Sequence, residues 1–230
     1  MVELTLFGAR LSPYVEKVAS ALEYKGLAFE TVDLKSPGDL KKWNPTTGKM
    51  PVLEIDGEKL YDSTFILRRL DELQPEPRLY AEHSEVAARQ RLMEDWCDES
   101  LYWYVMALRW AEPNKAATIA QIVPSTVPRW LLPLVGRFVE RQIGGMVKAQ
   151  GMGRMPYELV LRETGGLLDA LAELLGARPY FHTERPGAAD FALYGELVFG
   201  ASEATPDFGA LLADRPALTG FVKRLADAKS

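Results

Sequence analysis

Residues 51–61 of the chain read Pro-Val-Leu-Glu-Ile-Asp-Gly-Glu-Lys-Leu-Tyr. Two short runs with apolar residues flank Asp56-Gly57, a pair that tolerates the positive φ angles of a two-residue turn. The pattern therefore predicts a β-hairpin with strands at 51–55 and 58–61. Pro51 fits the first residue of a strand, because pairing with a neighbouring strand does not require an N–H at that position.

Strand and helix patterns alternate in the residues before this hairpin. Apolar residues at alternate positions 2, 4 and 6 predict a first strand. A helix that Gly26 can end is predicted next, because apolar residues follow the i, i+3, i+4, i+7 spacing: Val15, Val18, Ala19 and Leu22. An extended segment at 28–34 then completes a βαβ-like unit.

A helix with apolar residues at 66, 67, 70 and 73 closes the first part of the chain, and Gln74-Pro75-Glu76-Pro77-Arg78 breaks it. The order β-α-β-α-β-β-α predicts one α/β domain over residues 1–76, with a boundary near 75–84. Helical periodicity prevails beyond it, so residues 85–230 are predicted to form an all-helical domain. Prolines and glycines should divide its segment 111–154 into short helices.

Composition excludes several classes of protein. A chain of 230 residues that is 47% apolar is neither disordered nor a disulfide-stapled miniprotein. The net charge of −5 argues against general nucleic-acid binding. The single cysteine, Cys97, excludes an internal disulfide and a dithiol redox motif, and its apolar helical context indicates a buried, inert thiol.

Other patterns bear on location and on competing chemistries. The first residues lack a secretory signal and the longest apolar run is too short to span a bilayer, so we expect a cytoplasmic protein with no membrane span. His83 and His182 have no partners at metal-ligand spacing, and a Gly-x-Ser-x-Gly elbow is absent. We therefore expect neither a metal site nor a serine hydrolase.

Ser12-Pro13-Tyr14 lies between the first strand and the first helix. Ser12 fits the N-cap and Pro13 the first helical position, so both have a purely structural interpretation. The N–H groups and partial positive charge of a helix N-terminus can also hold an anion such as a thiolate. Met50-Pro51 and Asp62-Ser63 likewise fit a strand start and a helix start, and both kinds of interpretation stay open from these residues alone.

In their order, these segments resemble the thioredoxin-like domain of cytosolic glutathione transferases. Residues 12–18, Ser-Pro-Tyr-Val-Glu-Lys-Val, are similar to the first-helix motif of the tau and omega classes. Asn44-Pro45, Gly48-Lys49-Met50-Pro51-Val52-Leu53 and Leu60-Tyr61-Asp62-Ser63 continue the match in the same order. The helical second part has the matching length.

The resemblance implies a glutathione site on the first domain. Ser12 would donate a hydrogen bond to the glutathione thiolate, and Met50, with Pro51 cis, would pair its backbone with the cysteinyl part. Asp62 and Ser63 would meet the ammonium and the carboxylate of the γ-glutamyl end. The implied site also includes Pro13 and Tyr14, together with two lysines near the glycyl carboxylate: Lys35 and Lys49.

Two positions depart from the family pattern. Asp62 stands where glutamate is more common, which shortens its reach to the ammonium. Gly187 stands where a serine or threonine precedes the aspartate by three residues, so only half of a capping box remains. We interpret that aspartate, Asp190, as a folding residue rather than a catalytic one.

The segment 103–154 more closely resembles relatives of metaxins and failed-axon-connection proteins, a resemblance that does not imply catalysis. Tyr102, Trp103 and Trp110 could line an apolar acceptor site, although packing in a helical core explains them as well. Basic residues alternate with apolar ones at 129–148, and this favours an ordinary amphipathic helix over one lying on a membrane surface.

The resemblance therefore implies a cytoplasmic glutathione transferase that acts in detoxification, with glutathione as co-substrate and a small hydrophobic electrophile as acceptor. It also implies a homodimer, with residues 61–73 and the helix containing Arg89, Met93 and Trp96 near the twofold axis. Two alternatives stay open. One is a transferase-like glutathione-binding or interaction protein with little catalysis; the other is a glutathione-dependent reductase or dehalogenase, which Ser12 in place of the omega-type cysteine disfavours.

Overall fold

The computed structural model describes residues 2–123 and 127–229. Its first part has the predicted order of strands and helices: β1 (Leu4–Phe7), α1 (Pro13–Tyr24), β2 (Glu30–Val32), α2 (Pro37–Trp43), β3 (Val52–Ile55), β4 (Glu58–Tyr61) and α3 (Ser63–Leu73). The predicted β-α-β-α-β-β-α arrangement is confirmed.

The four strands form one sheet in the order β2-β1-β3-β4. β1 runs parallel to β2 and antiparallel to β3, and β3 pairs with β4 as the predicted hairpin. The turn residues Asp56 and Gly57 have φ angles of 49° and 88°, the conformation that this pair was expected to allow. The sheet is the thioredoxin-like arrangement.

Helices α1 and α3 pack against each other through their apolar residues. α1 buries Val15, Val18 and Leu22, and α3 buries Ile66, Leu67 and Leu70, as the helical spacing predicts. α3 ends at Leu73, directly before the proline-rich segment. Both candidate motifs of the first part, at Ser12 and at Asp62, thus lie at the N-termini of helices with buried apolar faces.

The rest of the described chain is helical, as predicted. Its α-helices are α4 (Ser84–Trp96), α5 (Tyr102–Trp110), α6 (Glu112–Ile122), α7 (Leu132–Val139), α8 (Gly145–Gln150), α9 (Tyr157–Leu175), α10 (Ala188–Gly200), α11 (Pro206–Ala213) and α12 (Pro216–Ala228). π-helical turns at Cys97–Leu101 and Glu140–Gly144 link α4 to α5 and α7 to α8. The predicted fragmentation of segment 111–154 is confirmed for its described residues, and residues 124–126 lie outside them.

The chain divides into two compact units. The first contains Met1–Asp98, Ala177–Phe199 and Gly220–Ser230, and the second contains Glu99–Gly176 and Gly200–Thr219. The first unit therefore includes most of α10 and α12 as well as the sheet. The domain limits at 76 and 85 stay a prediction. No helix within 2–123 or 127–229 combines the length and the hydropathy needed to cross a bilayer.

Candidate active site

Ser12 occupies the N-cap of α1 and Pro13 the first helical position, as the pattern predicts. The Ser12 carbonyl accepts the N–H of Glu16 at 2.9 Å and so begins the helix. Its side chain, however, makes no capping hydrogen bond. The hydroxyl therefore stands at the positive end of a helix without the structural use that capping would give it.

Met50 lies beside the loop that carries Ser12, and a glycine makes this possible. Gly8 follows β1 with a φ of 140°, and a Cβ at this position would come within 2.6 Å of Val15 Cγ2 and 3.2 Å of Met50 Cβ. The Met50–Pro51 peptide bond is cis. Met50 also precedes the first ladder pairs, Val52 with Phe7 and with Tyr61.

A buried asparagine holds the loop that leads to Met50. Asn44 is 2% exposed, and its side-chain amide donates to Thr47 Oγ1 at 2.6 Å and to the Lys49 carbonyl at 3.1 Å. Its Oδ1 accepts the N–H of Thr47 at 3.0 Å. The resemblance includes Asn44 without implying a role for it, because the contacts that define its role form only when the loop is folded.

Asp62 is the N-cap of α3, with a φ of 76°, and its Oδ1 accepts the N–H of Thr64 at 3.0 Å. Its helix-start interpretation is confirmed. The other carboxylate oxygen makes no hydrogen bond within the described residues, and the side chain is exposed. Ser63, which follows, is 5% exposed, and its hydroxyl accepts from Lys17 Nζ at 3.3 Å.

Lys17 is the centre of a buried polar cluster, which we define as Lys17, Thr64, Tyr80, Glu94 and Asp98. Lys17 is 1% exposed, and its Nζ lies 2.6 Å from Asp98 Oδ2 and 2.8 Å from Glu94 Oε1. Glu94 also accepts from the hydroxyls of Thr64 at 3.0 Å and Tyr80 at 2.8 Å. The polar cluster thus joins α1 to α3 and to the C-terminal end of α4.

Charges in the polar cluster are unequal, with one ammonium for two carboxylates. Burial lowers the pKa of Lys17, but Asp98 and Glu94 outweigh this and raise it above the ordinary value. Burial raises the pKa of Asp98 to about 6, although Lys17 opposes the shift. Lys17 is therefore a permanent cation at neutral pH, whereas Asp98 takes up a proton near pH 6.

Tyr14, one of the implied glutathione contacts, bonds to the residue that Lys17 holds. Its hydroxyl donates to the Asp98 carbonyl at 2.7 Å. Tyr14 and Lys17, on successive turns of α1, thus both contact Asp98 just after the end of α4. Tyr14 binds its backbone carbonyl and Lys17 binds its carboxylate.

Lys35 and Lys49, the other implied contacts, have exposed side chains. Lys35 directly precedes the N-cap of α2, where its backbone N–H donates to Asp39 Oδ2 at 3.0 Å. Neither ammonium group forms an ion pair with a residue in the described ranges, so both can meet an anion from solution.

Two further buried groups lie close to the polar cluster. Glu196 is 1% exposed, and neither carboxyl oxygen has a hydrogen-bond partner within the described part of the chain. Burial, with Asp98 nearby, raises its pKa well above the ordinary value. Cys97 is fully buried, as predicted, and burial raises the pKa of its thiol well above the ordinary value.

Residues 2–123 and 127–229 contain no group of three or more His, Cys, Asp and Glu side chains that could hold a metal ion.

The aromatic residues proposed for an acceptor site lie in two places. Tyr102 and Trp103 are half-buried on α5, with ring centres 5.1 Å apart in an edge-on contact. Trp110 is 8% exposed and lines a groove of about 840 Å³ in the second unit. Neither Tyr102 nor Trp103 lines that groove.

The contacts of Asp190 confirm its interpretation as a folding residue. Its carboxylate is buried and accepts the N–H groups of Phe181 and Gly187, both at 2.9 Å. Burial raises its pKa to about 6. Packing explains the glycine at 187, since a Cβ there would collide with the Gln90 amide and lie 2.8 Å from the Leu79 carbonyl.

Comparison with known families gives two matches. The N-terminal domain of glutathione S-transferases matches residues 6–78, and the C-terminal domain of glutathione S-transferases matches residues 146–228. The isoprene-epoxide glutathione S-transferase of Rhodococcus sp. strain AD45 is 28% identical over 94% of this chain and 91% of its own. The failed axon connections protein of Drosophila melanogaster is 26% identical over 94% of this chain, which spans about half (54%) of that protein.

Solved structures of the same fold include a tau class glutathione S-transferase from mango, Mangifera indica. It is 21% identical, with a TM-score of 0.65 over 99% of this chain and 93% of its own. A β-etherase from Sphingobium sp. strain SYK-6 is 24% identical, with a TM-score of 0.64 over 96% of this chain and 98% of its own. At these identities the likeness establishes the fold.

Proposed function

Because the chain belongs to the glutathione S-transferase family, we propose that it is an active transferase that joins the sulfur of glutathione to a small apolar electrophile. The observation that carries this proposal is the Ser12 hydroxyl, which stands at the N-terminus of α1 without a capping bond. A thiolate is the group that this position suits.

Ser12 would act by stabilising the thiolate. A free thiol has a pKa of about 8.5 and is mostly protonated at neutral pH. A hydrogen bond to a charged group contributes about 1.5–3 kcal/mol, and one pKa unit corresponds to about 1.4 kcal/mol. One such bond, together with the helix end, is enough to lower the pKa of bound glutathione by one to two units.

The rest of the tripeptide would extend along the first unit. The backbone of Met50 would pair with the cysteinyl residue, and Asn44 would hold the loop in the required place. The Asp62 oxygen that does not cap α3 would meet the γ-glutamyl ammonium. Ser63 accepts from Lys17, so its O–H can donate to the γ-glutamyl carboxylate, while Lys35 and Lys49 would attract the glycyl carboxylate.

In the proposed reaction the thiolate attacks an electrophilic carbon. With an epoxide, a C–S bond forms and a C–O bond of the ring breaks, and the resulting alkoxide takes a proton from water. Epoxides are the first electrophiles to test, because the bacterial relative matched over nearly its whole length is named for isoprene epoxide. We place the reaction in the cytoplasm and propose a homodimer that uses residues 61–73 and α4.

A second candidate function is glutathione binding with little catalysis. The match to failed axon connections, which covers 94% of this chain, favours it. The two functions differ in turnover but share the ligand.

Calorimetry with glutathione, followed by turnover assays on epoxides and other electrophiles, tests both. Binding with turnover supports the transferase, and binding with no turnover across the panel supports the second candidate. A lack of binding at millimolar glutathione overturns both.

A further inference from the structure

Helices α7 and α8 present an apolar surface that no described part of the chain covers. Within α7 only Gly136 is buried. Leu134 and Phe138 lie four residues apart on α7 and therefore share one face of the helix, where they are 68% and 53% exposed. Trp130, in the turn just before α7, is 78% exposed. The sequence favours an ordinary amphipathic helix here, and none of the described residues packs over the apolar side chains of Leu134 and Phe138.

Cations lie beside the same apolar side chains. The groove of about 840 Å³ is lined by Leu134 and Phe138 and by three basic residues: Arg137, Arg141 and Lys148. Its two acidic residues, Glu112 and Glu140, both lie 2.8 Å from the ammonium of Lys115. Arg137, Arg141 and Lys148 therefore have no carboxylate at ion-pair distance within the described residues. We call these three cations, together with Leu134, Phe138 and the preceding Trp130, the basic-apolar face.

Charge is also segregated along the chain. Residues 127–156 contain five Arg or Lys and one Glu, a net charge of +4 in a chain whose total is −5. A positive segment on an acidic protein attracts anionic surfaces without making the whole molecule bind them.

We propose that the basic-apolar face docks on an anionic lipid bilayer. Tryptophan and phenylalanine bury their rings at the level of the headgroups, while arginine and lysine meet the anionic headgroups. This use of the helical unit is separate from the proposed chemistry at Ser12 and does not depend on it.

Two other occupants fit the observations less well. Trp130, Leu132 and Met146 do not line the groove, and they are 78%, 40% and 44% exposed. A small molecule held in the groove would leave Trp130 in water, whereas the headgroup region of a bilayer takes up exposed tryptophan and basic side chains together. A second copy of the chain would bring an equal positive charge against the first in a twofold contact, and the two faces would repel.

The experiment uses the whole protein and vesicles of phosphatidylcholine, with or without phosphatidylserine, in a sedimentation assay. We expect binding to the anionic vesicles, loss of binding as salt is raised, and little binding to phosphatidylcholine alone. The double substitution Arg137→Gln with Arg141→Gln should weaken binding about thirtyfold, from the usual contribution of a basic residue near such a surface. Leu134→Ser with Phe138→Ser should weaken it at least about tenfold.

Matched controls lie on α9 of the same unit. Arg162→Gln removes an exposed cation, and Leu174→Ser removes an apolar side chain that is 62% exposed. Both should bind vesicles as the parent protein does, and thermal unfolding should show that every variant is folded.

Four results would overturn the proposal. The first is equal binding to neutral and anionic vesicles, or no binding to either. The second is an equal loss in the α9 controls. The third is a change of solution mass in Leu134→Ser with Phe138→Ser without a loss of vesicle binding, which would identify a second copy as the occupant. The fourth is binding of monomeric octyl sulfate to the groove with no vesicle binding, which would identify a small anion as the ligand.

Discussion

Lys17 Nζ lies 2.6 Å from Asp98 Oδ2 with both side chains buried, and this ion pair ties the helix that begins at Ser12 to the C-terminal end of α4. Tyr14 reinforces the connection through the Asp98 carbonyl. α1 carries the proposed thiolate site at one end, so the polar cluster fixes the direction in which that end points.

Replacing Lys17 by methionine should cost about 3–5 kcal/mol of stability, because it leaves Glu94 and Asp98 buried without their cation. Denaturant unfolding measures the loss. Lys17→Arg keeps the charge and should recover part of it, whereas Lys17→Met with Asp98→Asn removes both members of the closest pair and should unfold less readily than Lys17→Met alone. Equal stabilities for all three variants would contradict the role of the ion pair.

Glu196 should make stability fall as pH rises. Its pKa in the folded protein is raised above the ordinary 4.5 of the unfolded chain. At a pH between the unfolded-state pKa and the folded-state pKa, the folded protein holds a proton that the unfolded chain has lost. Unfolding free energy then decreases with pH, by at most about 1.4 kcal/mol per pH unit for one group. Glu196→Gln mimics the protonated acid at every pH and should make this slope shallower above pH 4.5, while Asp98 and Asp190, whose pKa values are raised to about 6, continue to contribute to it.

The matched control is Glu203→Gln, at an exposed position. It should leave the slope unchanged. Chemical unfolding at several pH values gives the comparison, and a Glu196→Gln slope equal to that of the parent would show that Glu196 is not protonated in the folded state.

Local chemistry explains which features could be predicted from the sequence. Asp56-Gly57 specifies a hairpin, and Ser12-Pro13 and Asp62 specify helix starts, because each pattern depends only on a few neighbouring residues. Asp190 and the inert Cys97 were predictable for similar reasons.

Features that depend on distant residues could not be predicted in this way. Lysine on a helix is usually exposed, and Lys17 is buried only because Glu94 and Asp98, far along the chain, compensate its charge. Helical spacing likewise predicts that α7 is amphipathic, but only tertiary packing decides whether Leu134 and Phe138 are covered. Glu196 follows the same rule, since its burial arises where α10 packs in the first unit.

Asn44→Ala should weaken glutathione binding by loosening the loop before Met50. The substitution removes the donors to Thr47 and to the Lys49 carbonyl, each of which contributes about 1 kcal/mol. We expect a higher Kd and KM with a smaller change in kcat, because the proposed site of the reacting sulfur is Ser12 and not this loop. Thr46→Ala, at an exposed position in the same loop, is the control and should bind normally.

One Asp62 oxygen caps α3, and we propose that the other, which makes no hydrogen bond within the described residues, binds the γ-glutamyl ammonium. Asp62→Asn keeps an oxygen for the cap but removes the charge, so it should weaken glutathione binding about tenfold to a hundredfold while preserving the unfolding temperature. Asp62→Ala should lose both. If Asp62→Asn binds glutathione as tightly as the parent, the shortened carboxylate does not reach the ammonium.

Ser12 provides the sharpest test of the chemistry, because its hydroxyl does not cap α1. Ser12→Ala should therefore leave the unfolding temperature nearly unchanged, while the pKa of bound glutathione rises and kcat/KM at neutral pH falls about tenfold to a hundredfold. Absorbance of the bound thiolate against pH measures the shift directly. Ser12→Cys places a thiol at the same helix end and should gain glutathione-dependent disulfide reduction, the activity expected of an omega-like site. If neither substitution alters thiolate formation or turnover, Ser12 does not contact the sulfur, and the reacting end of glutathione must bind elsewhere.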